Sequence, residues 1–185
     1  MSVRRIAEPI IMDAEERFER FENLMPFKVH NILLVSSLYD SFILREDGRL
    51  NELLIDESVE LDLRRVPGIT QVSSCAEAVD LARSQQYHLI VTNLTVGEMN
   101  AAQLASEVKR AGLDVPVVVL GYDYREIKNF VARNPVTEIE RVFLWQGNSR
   151  ILITIVKYIE DKRNVLHDTR AIGVPVLLEI GRAHV

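Results

Sequence analysis

An α/β protein with a five-stranded parallel sheet between two layers of helices is expected from three observations. Short, nearly continuous apolar runs rich in Val, Ile and Leu recur along the chain. Segments with helical spacing separate them, and five strand signals alternate with five helix signals within about 135 residues. Apolar runs without alternation are the mark of strands buried on both faces, which parallel sheets contain.

The elements follow in order. Asp13 to Glu16 offers an N-cap carboxylate with a Glu three residues on, followed by Phe18, Phe21 and Met25 at helical spacing, so a helix over about 13–24 is predicted, closed by Pro26. Val29–Val35 is the first buried strand, and Leu50, Leu53, Leu54 and Leu61 share one helical face. Ile69–Val72 reads as a strand, and Ser74 to Glu77 as a capping box opening a helix through Ala78, Val79, Leu81 and Ala82. His88–Thr92 returns to strand; Asn100 and Gln103 cap a helix carrying Leu104, Ala105 and Val108, which Gly112 ends. Val115–Leu120 is a strand with Pro116 near its start, where a missing N–H is tolerated. Glu126–Arg133 forms a short helix stopped by Pro135, Arg141–Trp145 is the last strand, and Ser149 opens a long helix to about Asn164. Right-handed crossovers then give a three-layer sandwich with the flavodoxin-like strand order 2-1-3-4-5. Ligands in such sheets bind beyond the C-terminal strand ends, which directs attention to Ser36, Ser37, Asn93, Gly121 and Gln146.

Composition narrows the function. The 185 residues are 48% hydrophobic and 26% charged, with 22 Lys+Arg against 27 Asp+Glu and a net charge of -5. That suits one globular domain and leaves bulk attraction to nucleic acid without a source. A lone Cys75 can form neither an internal disulfide nor a thiolate metal cage, which fits a reducing compartment. Met1-Ser-Val-Arg-Arg5 is followed by Glu8 and Asp13 rather than a signal-peptide core, and no stretch is long and apolar enough for a span, so a cytoplasmic protein without membrane contact is expected. His30, His88 and His167 lack metal-ligand spacing, and no metal or cofactor is expected. The loop Ser36-Ser-Leu-Tyr-Asp-Ser41 stands where flavodoxins bind flavin phosphate but lacks the Gly that lets backbone approach it.

Asn93-Leu-Thr-Val-Gly-Glu-Met-Asn100 resembles the segment of bacterial response-regulator receiver domains that carries the phospho-accepting Asp, then Leu, two apolar residues and Pro-Gly-Met-Asp. The resemblance covers roughly residues 28–164 and is a degenerate one. It places Asn93 at the acceptor position, Ser36 and Ser37 at the acidic pair that holds a divalent cation, Gly121 at the Thr or Ser that turns toward the phosphoryl group, and Gln146, before Gly147, at the Lys before Pro. Phosphoryl transfer needs a carboxylate nucleophile, a cation held by carboxylate oxygens and a Lys to neutralise charge, so no enzymatic activity is expected of this chain. Asp40, a few residues past the first strand, is read as a loop residue or helix cap, with a substitute acid as the alternative.

A narrower resemblance joins Val35–Leu54, Phe143-Leu-Trp-Gln-Gly147 and Lys157-Tyr-Ile-Glu-Asp161 to the first receiver of large bacterial phosphoenolpyruvate synthase or pyruvate phosphate dikinase-like proteins. It implies a regulatory module of phosphorelay signalling in a longer polypeptide whose kinase region lies elsewhere. The alternatives are a receiver that answers a non-phosphate ligand and a flavodoxin-like cofactor binder. In the last helix Leu152, Ile155, Val156 and Ile159 make a core stripe that Ile151, Ile153 and Tyr158 widen, so a contact face through the last strand and helix is expected, with Trp145 as its anchor. Its partner would be another domain of the same polypeptide, a signalling protein or a second copy.

The organisation expected is a helical lead-in over 1–27, the receiver-like domain over 28–164, and a linker with the first strand of a second domain over 165–178. Residues 179–185 end in Ile-Gly-Arg-Ala-His-Val, which ATC GGA AGA GCA CAC GTC encodes, and are expected to be sequencing-adapter read-through, leaving a fragment.

Overall fold

In a computed structural model, residues 24–37, 39–40, 67–148 and 150–172 are described. The predicted helix over 13–24, apart from its last residue, the apolar face of Leu50 to Leu61, the helix-opening Ser149, the strand from Gly173 and the terminal seven residues lie outside them.

Five strands, β1 (Asn31–Val35), β2 (Gly68–Val72), β3 (Leu89–Asn93), β4 (Val117–Gly121) and β5 (Arg141–Leu144), form one sheet in the order β2-β1-β3-β4-β5. Every pairing is parallel, with Ile32 opposite both Ile69 and Leu89, Thr92 opposite Val119, and Leu120 opposite Phe143. The expected topology is thus the observed one. Four described helices accompany the sheet: α1 (Cys75–Ser84), α2 (Ala101–Arg110), α3 (Tyr124–Arg133) and α4 (Ile151–Ile172).

Strand alternation divides the core. Ile32, Leu34, Leu89, Val91, Val118 and Leu120 face α4, where Leu152, Ile155, Val156 and Ile159 meet them. Leu33, Val35, Ile90 and Val117 point the other way, into Ala78, Val79 and Ala82 of α1 and Leu104, Ala105 and Val108 of α2. The central strands β1, β3 and β4 need apolar side chains at successive positions because both faces are covered.

Several helix ends explain themselves. In α2 the Gln103 amide N–H donates to Asn100 Oδ1 (3.0 Å) and the Asn100 N–H to Gln103 Oε1 (2.9 Å), the expected reciprocal cap. Its C-terminus is a Schellman turn: Leu113 N–H donates to the Val108 carbonyl and Gly112, at φ 75°, supplies the left-handed residue. The capping box expected at Ser74 does not form, since Ser74 occupies the N-cap but its side chain makes no capping hydrogen bond. The third helix begins two residues before Glu126 because Asp123 accepts from the Arg125 and Glu126 amides. The largest departure is α4, which continues eight residues past Asn164 through a stretch whose polarity reads as a connector. A two-stranded ribbon, Thr95–Val96 with Met99–Asn100, links β3 to α2.

Candidate functional site

The C-terminal ends of β1, β3 and β4 converge on one carboxylate, that of Asp40. The Asn93 amide Nδ2 donates to its Oδ2 at 2.6 Å, the Ser37 hydroxyl to the same oxygen at 2.7 Å, and the Tyr122 hydroxyl to Oδ1 at 2.7 Å. The Asp40 backbone N–H returns a bond to Ser37 Oγ at 3.1 Å. Asp40 is helical and not a loop residue: it lies in a first turn where its N–H is capped by Ser37 Oγ, and its carboxylate bridges this turn to Asn93 and Tyr122, both distant in sequence.

Each position has a local cause. Asn93 is the last residue of β3, only 5% exposed, and pairs opposite Leu120 of β4. Ser36 follows β1 directly and is fully buried, with its N–H donating to the Val72 carbonyl. Two buried atoms in this region, Ser36 Oγ and Asn93 Oδ1, have no hydrogen-bond partner. The amide orientation of Asn93 is fixed by charge: turned over, its oxygen would face the carboxylate. Tyr122 stands against the buried Trp145, ring centroids 5.0 Å apart, and partial burial together with the Asp40 charge pushes its phenol pKa well above the ordinary 10.0.

Gly121 is dictated by packing. A Cβ there would overlap Ile127 Cγ1 and lie 2.9 Å from Ile127 Cδ1 and 3.3 Å from Leu94 Cδ1. A larger side chain at this position would require Ile127, which fills its space, to shift. Gln146 is exposed and makes none of the contacts to Asp40, and Gly147 beside it holds φ 86°. Of the five sequence-selected positions, Ser36, Ser37, Asn93 and Gly121 gather around the strand ends, with Ser37 and Asn93 touching Asp40 directly.

Beside this network opens a cavity of about 530 Å³, lined by polar Asp40, Asn93, Asn100 and Tyr122 and floored by Leu94 and Leu120, with Glu126, Asn129 and Arg133 of α3 along its far wall. Among the described residues no three His, Cys, Asp or Glu side chains form a group able to hold a metal ion. A divalent cation is a poor match for the described residues at the strand ends: three donors already engage the two oxygens of Asp40, and its direct neighbours are hydroxyls and an amide.

The expected contact face is rearranged. Trp145 is only 1% exposed, with its indole N–H donating to the Asn148 carbonyl at 3.0 Å, so it belongs to the core and offers no surface to a partner. Ile153 is also buried, Ile151 is half-buried, and the Tyr158 ring lies between Phe143 and the Arg141 guanidinium with its hydroxyl donating to Glu140. The chain itself covers most of the widened arc; Leu144 of β5, 43% exposed, is the apolar side chain left open beside it.

Strand order, parallel register and flanking helices are those of the flavodoxin-like α/β fold that response-regulator receiver domains share. The solved structures similar to this chain include the CheY-like receiver domain from Methylobacillus flagellatus (13% identity, 71% of this chain and 99% of that one, TM-score 0.54) and a two-component response regulator from Clostridium difficile (19% identity, 73% and 98%, TM-score 0.51). A redox sensor of the streptococci, from a family evolved from two-component response regulators, is similar over 84% of this chain and 59% of its own (19% identity, TM-score 0.52). A scan against protein-family models finds no match, and a search of the curated proteins finds none either. Among the described residues no helix is long and apolar enough to cross a membrane.

Proposed function

We propose that this domain is a receiver that receives no phosphoryl group and serves as a cytoplasmic regulatory and docking module of phosphorelay signalling, within a larger protein carrying a phosphoenolpyruvate synthase-like kinase region. The observation that carries the first part is the Asn93–Asp40–Tyr122 bridge. Asn93 has no carboxylate to form an acyl phosphate, and its amide is committed to Asp40. Asp40 takes the hydrogen bonds that phosphoryl oxygens would need, so the pocket contains its own anion and its loops are tied in one arrangement. A module of this kind presents a fixed surface instead of switching. Its partners would be other domains of the polypeptide, a signalling protein or a second copy meeting β5 and α4 around Leu144, Ile151 and Tyr158.

Beryllofluoride with magnesium, which mimics a phosphoryl group on a receiver Asp, tests this reading in an amide NMR titration. Unmoved resonances for Ser36, Asp40, Asn93 and Tyr122 are expected; saturable shifts at these residues would refute it. A second reading, a response to a non-phosphate ligand, is favoured by the cavity and by the unpartnered buried oxygen of Asn93 at its edge.

A further inference from the structure

The extra length of α4 is matched by a contact at the other end of the domain. Up to Ile159 the helix is held by apolar packing of Leu152, Ile153, Ile155, Val156 and Ile159. Beyond it, among the residues whose side chains are described, the buried ones are polar: Glu160, 2% exposed, and Asn164, 1% exposed, while Leu166 is 69% exposed. These polar groups bind the backbone of the segment that leads into β1. Val29 N–H donates to Glu160 Oε1 (3.0 Å), Phe27 N–H to Asn164 Oδ1 (2.8 Å) and Met25 N–H to Asp168 Oδ1 (3.0 Å). Asn164 Nδ2 returns a bond to the Phe27 carbonyl at 2.9 Å.

The spacing explains why the pattern repeats. Four helical residues advance about 6 Å, and two extended residues about 6.6 Å, so side chains at i, i+4 and i+8 of a helix stay in step with every second amide of an extended neighbour. The chain directions are opposed: as α4 runs from Glu160 to Asp168, its partners run from Val29 back to Met25. The Lys28 ammonium pairs with Glu160 at 3.3 Å and the Arg163 guanidinium lies 5.9 Å from the Phe27 ring centroid. Met25 takes φ 54°, a left-handed conformation unfavourable for a non-glycine residue, at the end of this ladder.

We propose that residues 25–28, hinged on the buried Val29, form a releasable clasp on α4, by which the segment entering the domain keeps the last turns of the helix leaving it in place. Val29 is itself a core residue and Phe27 packs against the core, whereas the hold of residues 25–28 on α4 beyond Ile159 consists of hydrogen bonds, one ion pair and the Arg163–Phe27 contact. Lys162 and Arg163 keep their pairs with Glu140 and Asp114, so displacing residues 25–28 frees about two turns of helix past Asn164 while Val29 and the sheet stay in place. The inference stands apart from the Asp40 pocket and does not depend on what that pocket binds.

Hydrogen–deuterium exchange on the full chain tests it with three variants. Asn164→Leu removes the central side chain of the ladder; Phe27→Pro removes the backbone donor to it; Phe27→Leu keeps that donor and removes only the ring. In the first two, amides of residues 165–170 are expected to exchange at least ten-fold faster while those of Leu33–Val35 and Val118–Leu120 stay unchanged, and Phe27→Leu is expected to remain within a factor of two of the parent. Unchanged exchange at 165–170 in both Asn164→Leu and Phe27→Pro would overturn the clasp, as would equal acceleration of the strand amides or a Phe27→Leu response as large as that of Phe27→Pro. If Asn164→Leu fails to fold, the two Phe27 variants decide the matter by the same criteria.

Discussion

Replacing Asn93 by Asp would set a second carboxylate where the Asn93 amide stands 2.6 Å from Asp40 Oδ2. Two like charges at that separation repel by about 6 kcal/mol at an effective dielectric constant of about 20. The pair escapes by binding a proton, which for a carboxyl of ordinary pKa about 4 costs roughly 4 kcal/mol at pH 7. Proton uptake therefore sets the ceiling, and a shared-proton hydrogen bond returns about 1 kcal/mol of it, leaving an expected loss of roughly 2–4 kcal/mol at pH 7. The pair's folded pKa is raised, so the penalty is full at neutral pH and fades as pH falls toward 4. Urea unfolding of parent and Asn93→Asp at pH 7 and pH 4.5 measures it, and magnesium, which adjacent carboxylates can bind, should raise the variant's midpoint only. Equal stability of the two proteins at pH 7 would refute the contact between Asn93 and Asp40.

Three further outcomes follow from other contacts. Gly121→Ala forces a methyl group into Ile127 and should destabilise by about 1–3 kcal/mol, read as a lowered urea midpoint; an unchanged midpoint would mean that Ile127 yields freely. The Tyr122 phenol, raised by burial and by Asp40, should ionise above the other tyrosines in an ultraviolet titration, and Asp40→Asn should bring it down; because its folded pKa exceeds the ordinary 10.0, the associated stability is present below that pH and lost above it. His88, lowered from 6.5 by burial and then by the neighbouring His30, takes up a proton less readily folded than unfolded, so stability should fall as pH drops below about 6.5 and His88→Gln should flatten that slope. A variant with the parent's slope would assign the acid sensitivity to other groups.

The sheet was legible because its strands carry their signal locally: β1, β3 and β4 are buried on both faces, and each shows it as an apolar run bounded by polar residues. The cap of α2 was legible for the same reason, since Asn100 and Gln103 satisfy each other within one turn. Gly121 and Asn93 could be placed by counting from strand ends. What could not be read were contacts with partners far along the chain. Asp40 acts through Asn93, 53 residues away, and Tyr122, 82 residues away; as a sequence feature it is only an acid after a strand. Trp145 looked like an anchor because aromatic residues are common at interfaces, whereas here the packing of Tyr122 and the turn at Asn148 close over it. The stretch after Asn164 reads as a linker because its polarity carries no sign of a partner, and only the arrival of residues 25–29 gives Glu160 and Asn164 buried partners and Asp168 a partly buried one.

The proposal that this domain accepts no phosphoryl group is tested most directly by intact-mass measurement after incubating the full chain with acetyl phosphate and magnesium at neutral pH. With Asn93 as an amide and Asp40 held by three donors, the mass should remain that of the untreated chain. A gain of one phosphoryl group, whether acid-stable on Ser36 or Ser37 or labile on Asp40, would contradict the account.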